Sequence, residues 1–258
     1  MPGAPALAAL AAFRGGAGLV TLAVPEPVCP VVVEICPCAT LIPLPVDGDG
    51  KLTRKAFFLL ASAVEQHDVI AAGPGFSVGP DRREAVALML GKKTPLVLDA
   101  DGLNNLAVME HWYNARQCPL LLTPHPGEFA RLTGQAVGTI QADRTETAVG
   151  AAKLWSGPNK LSLVVLLKGK GTIVTDGESV YVNPTGNPGM AAGGSGDVLT
   201  GLAAALAVQC SSLPEAARLA AWTHGRAGDL AAGALTEVSM FAADLLDYIP
   251  TAMKEVIE

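Results

Sequence analysis

The segment "NPGMAAGGSGDVLTG", residues 187–201, places three glycines and a serine directly before a carboxylate and an apolar run. Glycines such as Gly193, Gly194 and Gly196 adopt backbone angles closed to other residues, so that consecutive N–H groups can point at one centre. The run that follows, "DVLTGLAAALAVQ", is predicted to be a helix, and the N-terminal end of a helix favours a negative group. The segment therefore predicts an anion cradle, and phosphate is the natural anion.

Asp197 gives this cradle a possible reaction. A carboxylate beside a phosphate is repelled unless it has a different task, and one such task is to act as the base for a hydroxyl group. The alternative is that Asp197 caps the helix, because Asp is a favoured N-cap residue. The residue alone leaves both open, whereas the neighbouring motifs favour the base.

Two further motifs follow apolar runs. "LKGKGTIV" sets Lys168 and Lys170 among glycines, which suits a nucleotide phosphate or ribose, although it is not a Walker A sequence and a solvated hairpin lysine would look the same. "TPHPGE" fixes His125 between two prolines and sets Glu128 at the start of a helix. Its alternative is a purely structural strand-to-helix turn.

"VLDADGLN" ends a predicted strand in two carboxylates, Asp99 and Asp101. They could contact a magnesium-bound phosphate or the substrate, but we slightly favour hydrogen bonds that tie the following loop. For the other three histidines, His67, His111 and His224, the sequence indicates no partner and no role.

The elements that position these residues follow from the alternation of helix-like and strand-like runs, which is typical of a parallel sheet covered by helices. Ligands of open α/β sheets lie outside the carboxyl ends of the strands, and each motif falls at such an end. Helices are predicted at 5–18, 53–67, 80–93 and over most of 196–258, and a hairpin around Asp176 and Gly177. Strands are predicted at 19–25, 68–75 and 94–103, at the start of 119–132, and at the start of 161–183.

Composition bounds the class of protein. The chain has 258 residues, of which 50% are hydrophobic and 16% charged, which predicts one globular domain over 1–258. A net charge of −6 argues against nucleic acid and anionic membranes as partners and favours a small molecule. Five irregularly spaced cysteines indicate buried thiols in the cytoplasm rather than disulfides, and no zinc-ligand spacing accompanies Cys36 and Cys38. The apolar segments match neither a signal peptide nor a membrane span.

Six segments together resemble the ADP/ATP-dependent NAD(P)H-hydrate dehydratases, a branch of the ribokinase-like superfamily. They are "GAPALAALAAFRGGAGLVTLAVP", "AAGPGFS", "LDADGLN", "TPHPGEFARL", "LKGKGTIVTDG" and "NPGMAAGGSGDVLTG". The match runs in order over nearly the whole chain, and the combination of "TPHPGE" with "GGSGDVLTG" is specific. The resemblance implies a three-layer α/β/α fold with a mostly parallel central sheet, and a metabolite-repair lyase. In that reaction ADP or ATP phosphorylates the ring hydroxyl of hydrated NADH or NADPH, and phosphate then leaves.

The resemblance also implies roles for individual residues. Asp197 would take the proton of the substrate hydroxyl, while N–H groups around Gly194 and Gly196 hold the transferring phosphoryl group. Glu128 would help to order Mg²⁺ and water, and the protein would be a homo-oligomer, a tetramer or a dimer. The implied nucleotide-binding residues are Lys168, Gly169, Lys170, Gly171, Thr172 and Gly196, and the implied substrate-binding residues are Ala4, Gly75, His125 and Asp197.

Two departures and two alternatives accompany the resemblance. Family members usually have a strand and a glycine-rich turn before the first helix, whereas this sequence opens at Met1, so we expect one strand to be absent from the sheet or the sequence to be shortened. Ser77 stands where a glycine is common. The alternatives are a ribokinase-like kinase for a vitamin precursor, whose comparable turn commonly has asparagine at the place of His125, and a nucleotide-binding relative without catalysis. The sequence does not distinguish ADP from ATP as the phosphoryl donor, nor hydrated NADH from hydrated NADPH as the substrate.

Overall fold

The computed structural model describes residues 1–158 and 161–257, which form an α/β structure. Its strands are β1 Thr21–Pro25, β2 Thr40–Leu44, β3 Ile70–Ala72, β4 Leu96–Leu98, β5 Leu120–Leu122, β6 Leu163–Leu167, β7 Ile173–Thr175 and β8 Val180–Val182. Its α-helices are α1 Gly3–Arg14, α2 Cys29–Ile35, α3 Arg54–Gln66, α4 Pro80–Leu90, α5 Ala100–Leu106, α6 Trp112–Ala115, α7 Pro126–Thr133, α8 Val137–Ala142, α9 Arg144–Trp155, α10 Ser195–Ala207, α11 Leu213–Ala234 and α12 Ala242–Ile257.

The main sheet has the strand order β3-β4-β5-β6-β7-β8. Strands β3 to β6 are parallel to their neighbours. Strand β7 is antiparallel to both β6 and β8, and β7 and β8 form the predicted hairpin. The mostly parallel α/β sheet is therefore confirmed. The strand predicted at 19–25 does not join it, because β1 pairs in parallel with β2 in a separate two-stranded sheet. That a first strand of the family is absent stays a prediction.

The central strands are buried on both faces, which explains their continuous apolar sequences. Leu96 and Leu98 of β4 pack into one core with helices α3 to α9. Val97 points the other way, into a second core with α1, α10, α11 and α12. The predicted three-layer arrangement follows directly from this alternation of side chains.

Helices α1 and α10 pack closely against each other. A Cβ atom added at Gly201 of α10 would lie 1.8 Å from the carbonyl oxygen of Ala8 in α1, so the two helices touch through their backbones. The start of α10 also lies against α1, because a Cβ atom added at Gly194 would lie 2.9 Å from Leu7 Cδ1. The segments "GAPALAALAAFRGGAGLVTLAVP" and "NPGMAAGGSGDVLTG", which lie far apart in the sequence, therefore meet in the structure.

A cavity of about 830 Å³ separates the two sheets and is lined by every residue of β1 and β3. The small sheet has a core of its own, to which α1, β1 and α2 contribute Ala6, Leu22 and Val32. The sequence predicted neither α2 nor β2. Both are short, and each contains a proline, which weakens the helical pattern of α2 and the strand pattern of β2.

The cysteines are only partly as predicted. All five are free thiols, and Cys36 and Cys118 are buried, but Cys38 is exposed, so the prediction of buried thiols is wrong there. In the part of the chain that the structure covers, no helix has both the length and the apolar character to cross a membrane.

Candidate active site

A cavity of about 460 Å³ lies at the carboxyl ends of the parallel strands, where the sequence predicts a site. Its walls include Ala4, Gly75, Glu128, Gly194 and Asp197, which come from four separate segments of the chain. The structure thus brings most of the predicted catalytic and substrate-binding residues to one place.

The backbone conformation expected for the predicted anion cradle occurs at the start of α10. Gly194 is the N-cap residue and has a φ of 93°, a left-handed conformation that glycine adopts without strain. Within residues 1–158 and 161–257, the backbone N–H groups of Gly193, Gly194, Gly196 and Asp197 find no hydrogen-bond acceptor. Free N–H groups are the rule in the first turn of a helix, and here they form a donor array at the cavity wall.

Asp197 lies in that first turn and is partly buried. Its side chain does not cap the helix, because the N-cap residue is Gly194 and no side-chain cap bond is present. Burial, and secondarily repulsion from the Asp99 carboxylate, raise the pKa of Asp197 to about 6, against the attraction of the Lys168 ammonium group. A carboxylate with such proton affinity beside free N–H donors suits a general base better than a cap.

Behind the cradle, Asp99 and Lys168 form a buried ion pair. Lys168 Nζ donates to Asp99 Oδ1 at 2.6 Å and lies 3.8 Å from Glu128 Oε2. Thr200 Oγ1 donates to the other Asp99 oxygen at 2.7 Å, and the Asp99 side chain is 1% exposed. The expectation that Asp99 ties its own loop is therefore wrong. Its partners lie 69 and 101 positions away in the sequence, out of reach of a local pattern.

Asp101 does bind a backbone N–H group, but in a different loop from the one expected. Its Oδ2 accepts from the N–H of Ser77 at 2.9 Å, in the loop after β3. Ser77 has a φ of 67°, which explains why a glycine is common at this position. Asp101 thus holds a strained turn at the cavity wall.

The "TPHPGE" motif forms the predicted rigid turn into α7. The Nδ1 atom of His125 accepts from the N–H of Gly127 at 3.0 Å, and the N–H of His125 donates to Glu128 Oε2 at 2.8 Å. Burial raises the pKa of Glu128, whereas the charge of Lys168 opposes the shift. His125 itself is exposed beside the cavity, and its Nε2 atom lies 3.4 Å from Glu128 Oε1.

The predicted nucleotide loop, residues 168–172, connects β6 to β7. Gly169 has a φ of 137°, and the Arg144 guanidinium group packs against it while it donates to the carbonyl oxygens of Leu167 and Lys168 at 3.0 and 3.2 Å. Along the described chain, the N–H groups of Gly169, Lys170 and Gly171 have no acceptor. Sequence reasoning missed Arg144, although a cation at the first residue of a helix opposes the helix dipole and so marks an unusual position.

The three histidines without assigned partners all have them, so that prediction is wrong. His224 is buried in α11 and lies 2.9 Å from the carbonyl oxygen of Ser195, at the cradle itself. His67 Nε2 lies 2.9 Å from Thr21 Oγ1, and His111 Nδ1 lies 3.1 Å from the hydroxyl of Tyr113. The first two contacts bridge distant segments, which periodicity in a single sequence does not reveal.

The carboxylates at this cavity suit a magnesium ion that keeps part of its water shell rather than a metal held by protein side chains alone. The described residues contain no group of three or more side chains placed to hold a metal ion. Mg²⁺ keeps several waters and binds phosphates with one or two carboxylates, and Asp101, Glu128 and Asp197 line this cavity.

Comparisons with known proteins agree on one family. Its model, described as NAD(P)H-hydrate dehydratase, matches residues 1–251. The chain is 44% identical over 261 residues to the bifunctional NAD(P)H-hydrate repair enzyme Nnr of Moorella thermoacetica, covering 100% of this chain and 48% of that protein. It is 35% identical over 257 residues to the ADP-dependent (S)-NAD(P)H-hydrate dehydratase of Bacillus subtilis, covering 98% of this chain and 85% of that protein. It therefore spans about half the length of the bifunctional relative.

A solved structure agrees with the fold. The ADP/ATP-dependent NAD(P)H-hydrate dehydratase from Bacillus subtilis, co-crystallized with ATP/Mg²⁺, superimposes with a TM-score of 0.81 at 33% identity. The superposition covers 99% of this chain and 85% of that one.

Proposed function

The chain belongs to the NAD(P)H-hydrate dehydratase family, and from this premise we propose that it restores hydrated NADH or NADPH with ADP or ATP as phosphoryl donor. The observation that carries the proposal is the joint placement, on one cavity, of free N–H donors and a carboxylate whose pKa is about 6. Phosphoryl transfer to a hydroxyl needs both of these parts.

In the proposed first step, Asp197 accepts the proton of the ring hydroxyl while its oxygen bonds to the terminal phosphorus. The bond to the leaving AMP or ADP breaks, and the N–H groups of Gly194 and Gly196 stabilise the charge on the transferring group. In the second step, the C–O bond breaks, phosphate departs, and loss of a ring proton restores the double bond. Phosphorylation is needed because hydroxide is a poor leaving group.

The remaining predicted residues have matching proposed roles. Lys168, Gly169, Lys170, Gly171 and Thr172 would bind the nucleotide, with Gly196 at its phosphates. Ala4, Gly75 and His125 would contact the hydrated dinucleotide together with Asp197. A bound Mg²⁺ would neutralise phosphate charge, and Glu128 would hold one of its waters.

The test mixes the protein with hydrated NADH or NADPH and with ADP or ATP, and follows the absorbance of the reduced nicotinamide. Return of the band supports the dehydratase, and the four mixtures give the preference for donor and hydrate. A stable phosphorylated product without the band would favour a kinase. Nucleotide binding without turnover in any mixture would favour a relative that has lost catalysis.

We also propose that the chain is one domain over 1–258 and forms a cytoplasmic homo-oligomer, a dimer or a tetramer. Large apolar side chains that are exposed, among them Phe58, Val238 and Phe241, support self-association. The five free thiols are compatible with a reducing compartment. Light scattering coupled to size-exclusion chromatography tests the assembly, and a monomer at micromolar concentration would contradict it.

A further inference from the structure

The serine of the "GGSG" motif has no explanation in the proposed chemistry. Ser195 is 7% exposed, whereas Gly194 before it lines the cavity and Gly196 after it lies against the ion pair of Asp99 and Lys168. Its hydroxyl oxygen lies 3.4 Å and its carbonyl oxygen 2.9 Å from the same atom, Nε2 of His224. The serine therefore points away from the cradle, into the contact between α10 and α11.

The contact fixes the state of the imidazole ring. A carbonyl oxygen only accepts, so Nε2 must carry a hydrogen and donate it to Ser195. Burial lowers the pKa of His224 to about 4, although the hydrogen bond to Ser195 opposes this shift; the Lys168 ammonium group lowers the pKa further and the Asp99 carboxylate raises it. The ring is therefore neutral at the pH at which the cradle would work.

The position of the Ser195 carbonyl determines where the next N–H group points. In a trans peptide the carbonyl oxygen of one residue and the N–H of the next point in opposite directions. A carbonyl held by His224 thus directs the Gly196 N–H away from that histidine, toward the free end of α10 where the proposed phosphoryl group would lie. The same hydrogen bond polarises the peptide and strengthens that N–H as a donor.

The element that carries His224 is rigid. Helix α11 spans 22 residues and packs into the second core through Ala220, Ala221 and Ala227. A Cβ atom added at Gly225 would lie 2.2 Å from Thr185 Oγ1, so the backbone beside His224 is also held by the segment after β8. The histidine can therefore transmit a fixed position to the first turn of α10.

We propose that His224 is a positioning residue for phosphoryl transfer, which aims the Gly196 N–H at the transferring group through the carbonyl of Ser195. The inference rests on the proposed function, but it concerns the conformation of the cradle rather than the identity of the substrate. His224 touches no reactant, so it should affect the transition state and leave ground-state binding of AMP unchanged.

His224→Leu removes the donor, and His224→Gln keeps an N–H near the position of Nε2. We expect the leucine variant to lower kcat by ~10²-fold, as loss of one oxyanion donor does, with KM for the nucleotide within about threefold. The glutamine variant should recover most of this loss. Ser195→Ala, which keeps the carbonyl, should lower kcat by less than about tenfold.

A matched control separates positioning from general destabilisation. His67→Leu also removes a histidine that lies 2.7 Å from a helix carbonyl, that of Ala63, but far from the cradle, and it should leave kcat unchanged. Equal kcat losses in the leucine and glutamine variants would overturn the proposal, as would a leucine variant with a lower Tm and unchanged kcat. Should His224→Leu fail to fold, His224→Met replaces it.

A binding measurement distinguishes failure of this inference from failure of the proposed function. AMP together with aluminium fluoride mimics the transferring phosphoryl group and requires no hydrated cofactor. His224→Leu should weaken this complex by at least about tenfold while the affinity for AMP alone stays the same. Equal weakening of both, or of neither, would refute the positioning role even if the wild-type chain dehydrates no hydrate.

Discussion

Asp197 is the residue on which the proposed chemistry turns. Asp197→Asn removes the base and keeps the shape, so we expect turnover to fall at least ~10³-fold while AMP binding persists. Isothermal titration with AMP and the nicotinamide assay measure the two properties. Unchanged turnover would falsify the base assignment.

The same substitution should stabilise the fold at neutral pH. Because the folded pKa of Asp197 is raised, the folded state binds the proton more tightly than the unfolded one, and stability declines as pH rises toward about 6. Above that pH the charged carboxylate costs ~1 kcal/mol, after allowance for screening of a partly exposed side chain. Urea unfolding at about pH 7.5 should therefore show a higher free energy of unfolding for Asp197→Asn than for the wild type, and the two should be equal at about pH 4.

The pKa of Asp197 also predicts the acid limb of catalysis. The base must be ionised to accept a proton, so kcat/KM should fall about tenfold per pH unit below about pH 6. His224 cannot produce this limb, because it is neutral down to a pH of about 4. A profile for His224→Gln with the same limb as wild type would agree with this, whereas a limb that disappears in that variant would contradict the assignment to Asp197.

At the scale of elements, the ion pair between Asp99 and Lys168 joins the end of β4 to the end of β6. Lys168→Met leaves a nearly fully buried carboxylate without its cation, which should lower the free energy of unfolding by about 3–5 kcal/mol. Adding Asp99→Asn removes the unpaired buried charge, so the double variant should be more stable than Lys168→Met alone. Chemical denaturation of the four proteins of this cycle tests the coupling, and additive losses would disprove it.

The turn after β3 contains a strained residue. Ser77 has a left-handed φ of 67°, which costs a non-glycine residue about 1–2 kcal/mol. Ser77→Gly should raise the free energy of unfolding by roughly 0.5–1 kcal/mol, because glycine's greater entropy in the unfolded state cancels part of the relief. Ser62→Gly, inside α3, is a matched control that should destabilise. A decrease in both variants would show that the turn is not strained.

The sequence predicted local elements and motif positions well, because glycine, proline and alternating apolar residues act over a few positions. It placed Gly194, Glu128 and Asp197 at strand ends, and the structure brings them to one cavity. It missed the contacts of Asp99 with Thr200 and of His224 with Ser195, which are 101 and 29 positions apart. Such pairs arise only when the sheet and its covering helices assemble.

At the scale of the whole molecule, the sequence did not predict that the strands divide into two sheets. Both β1 and β3 carry apolar runs that suit a continuous sheet, yet within the described chain β1 pairs only with β2, and β3 only with β4. The cavity of about 830 Å³ between them leaves one edge of each strand without a partner. This arrangement predicts unequal stability across the fold.

The unit formed by β1, β2 and α2 should open before the main sheet does. Its buried core is small and mostly aliphatic, and β1 has an unpaired edge on the cavity, whereas β4 to β6 are paired on both sides and buried on both faces. Opening the small unit exposes little apolar surface, so its opening free energy should lie well below that of global unfolding.

Hydrogen exchange followed by mass spectrometry should show the amides of residues 21–44 exchanging at least about tenfold faster than those of residues 96–98 and 163–167. Nucleotide binding at the far edge should slow exchange in residues 168–172 and leave that of residues 21–44 unchanged. Equal protection of the two sheets would mean that they unfold together, and that the cavity does not divide the molecule.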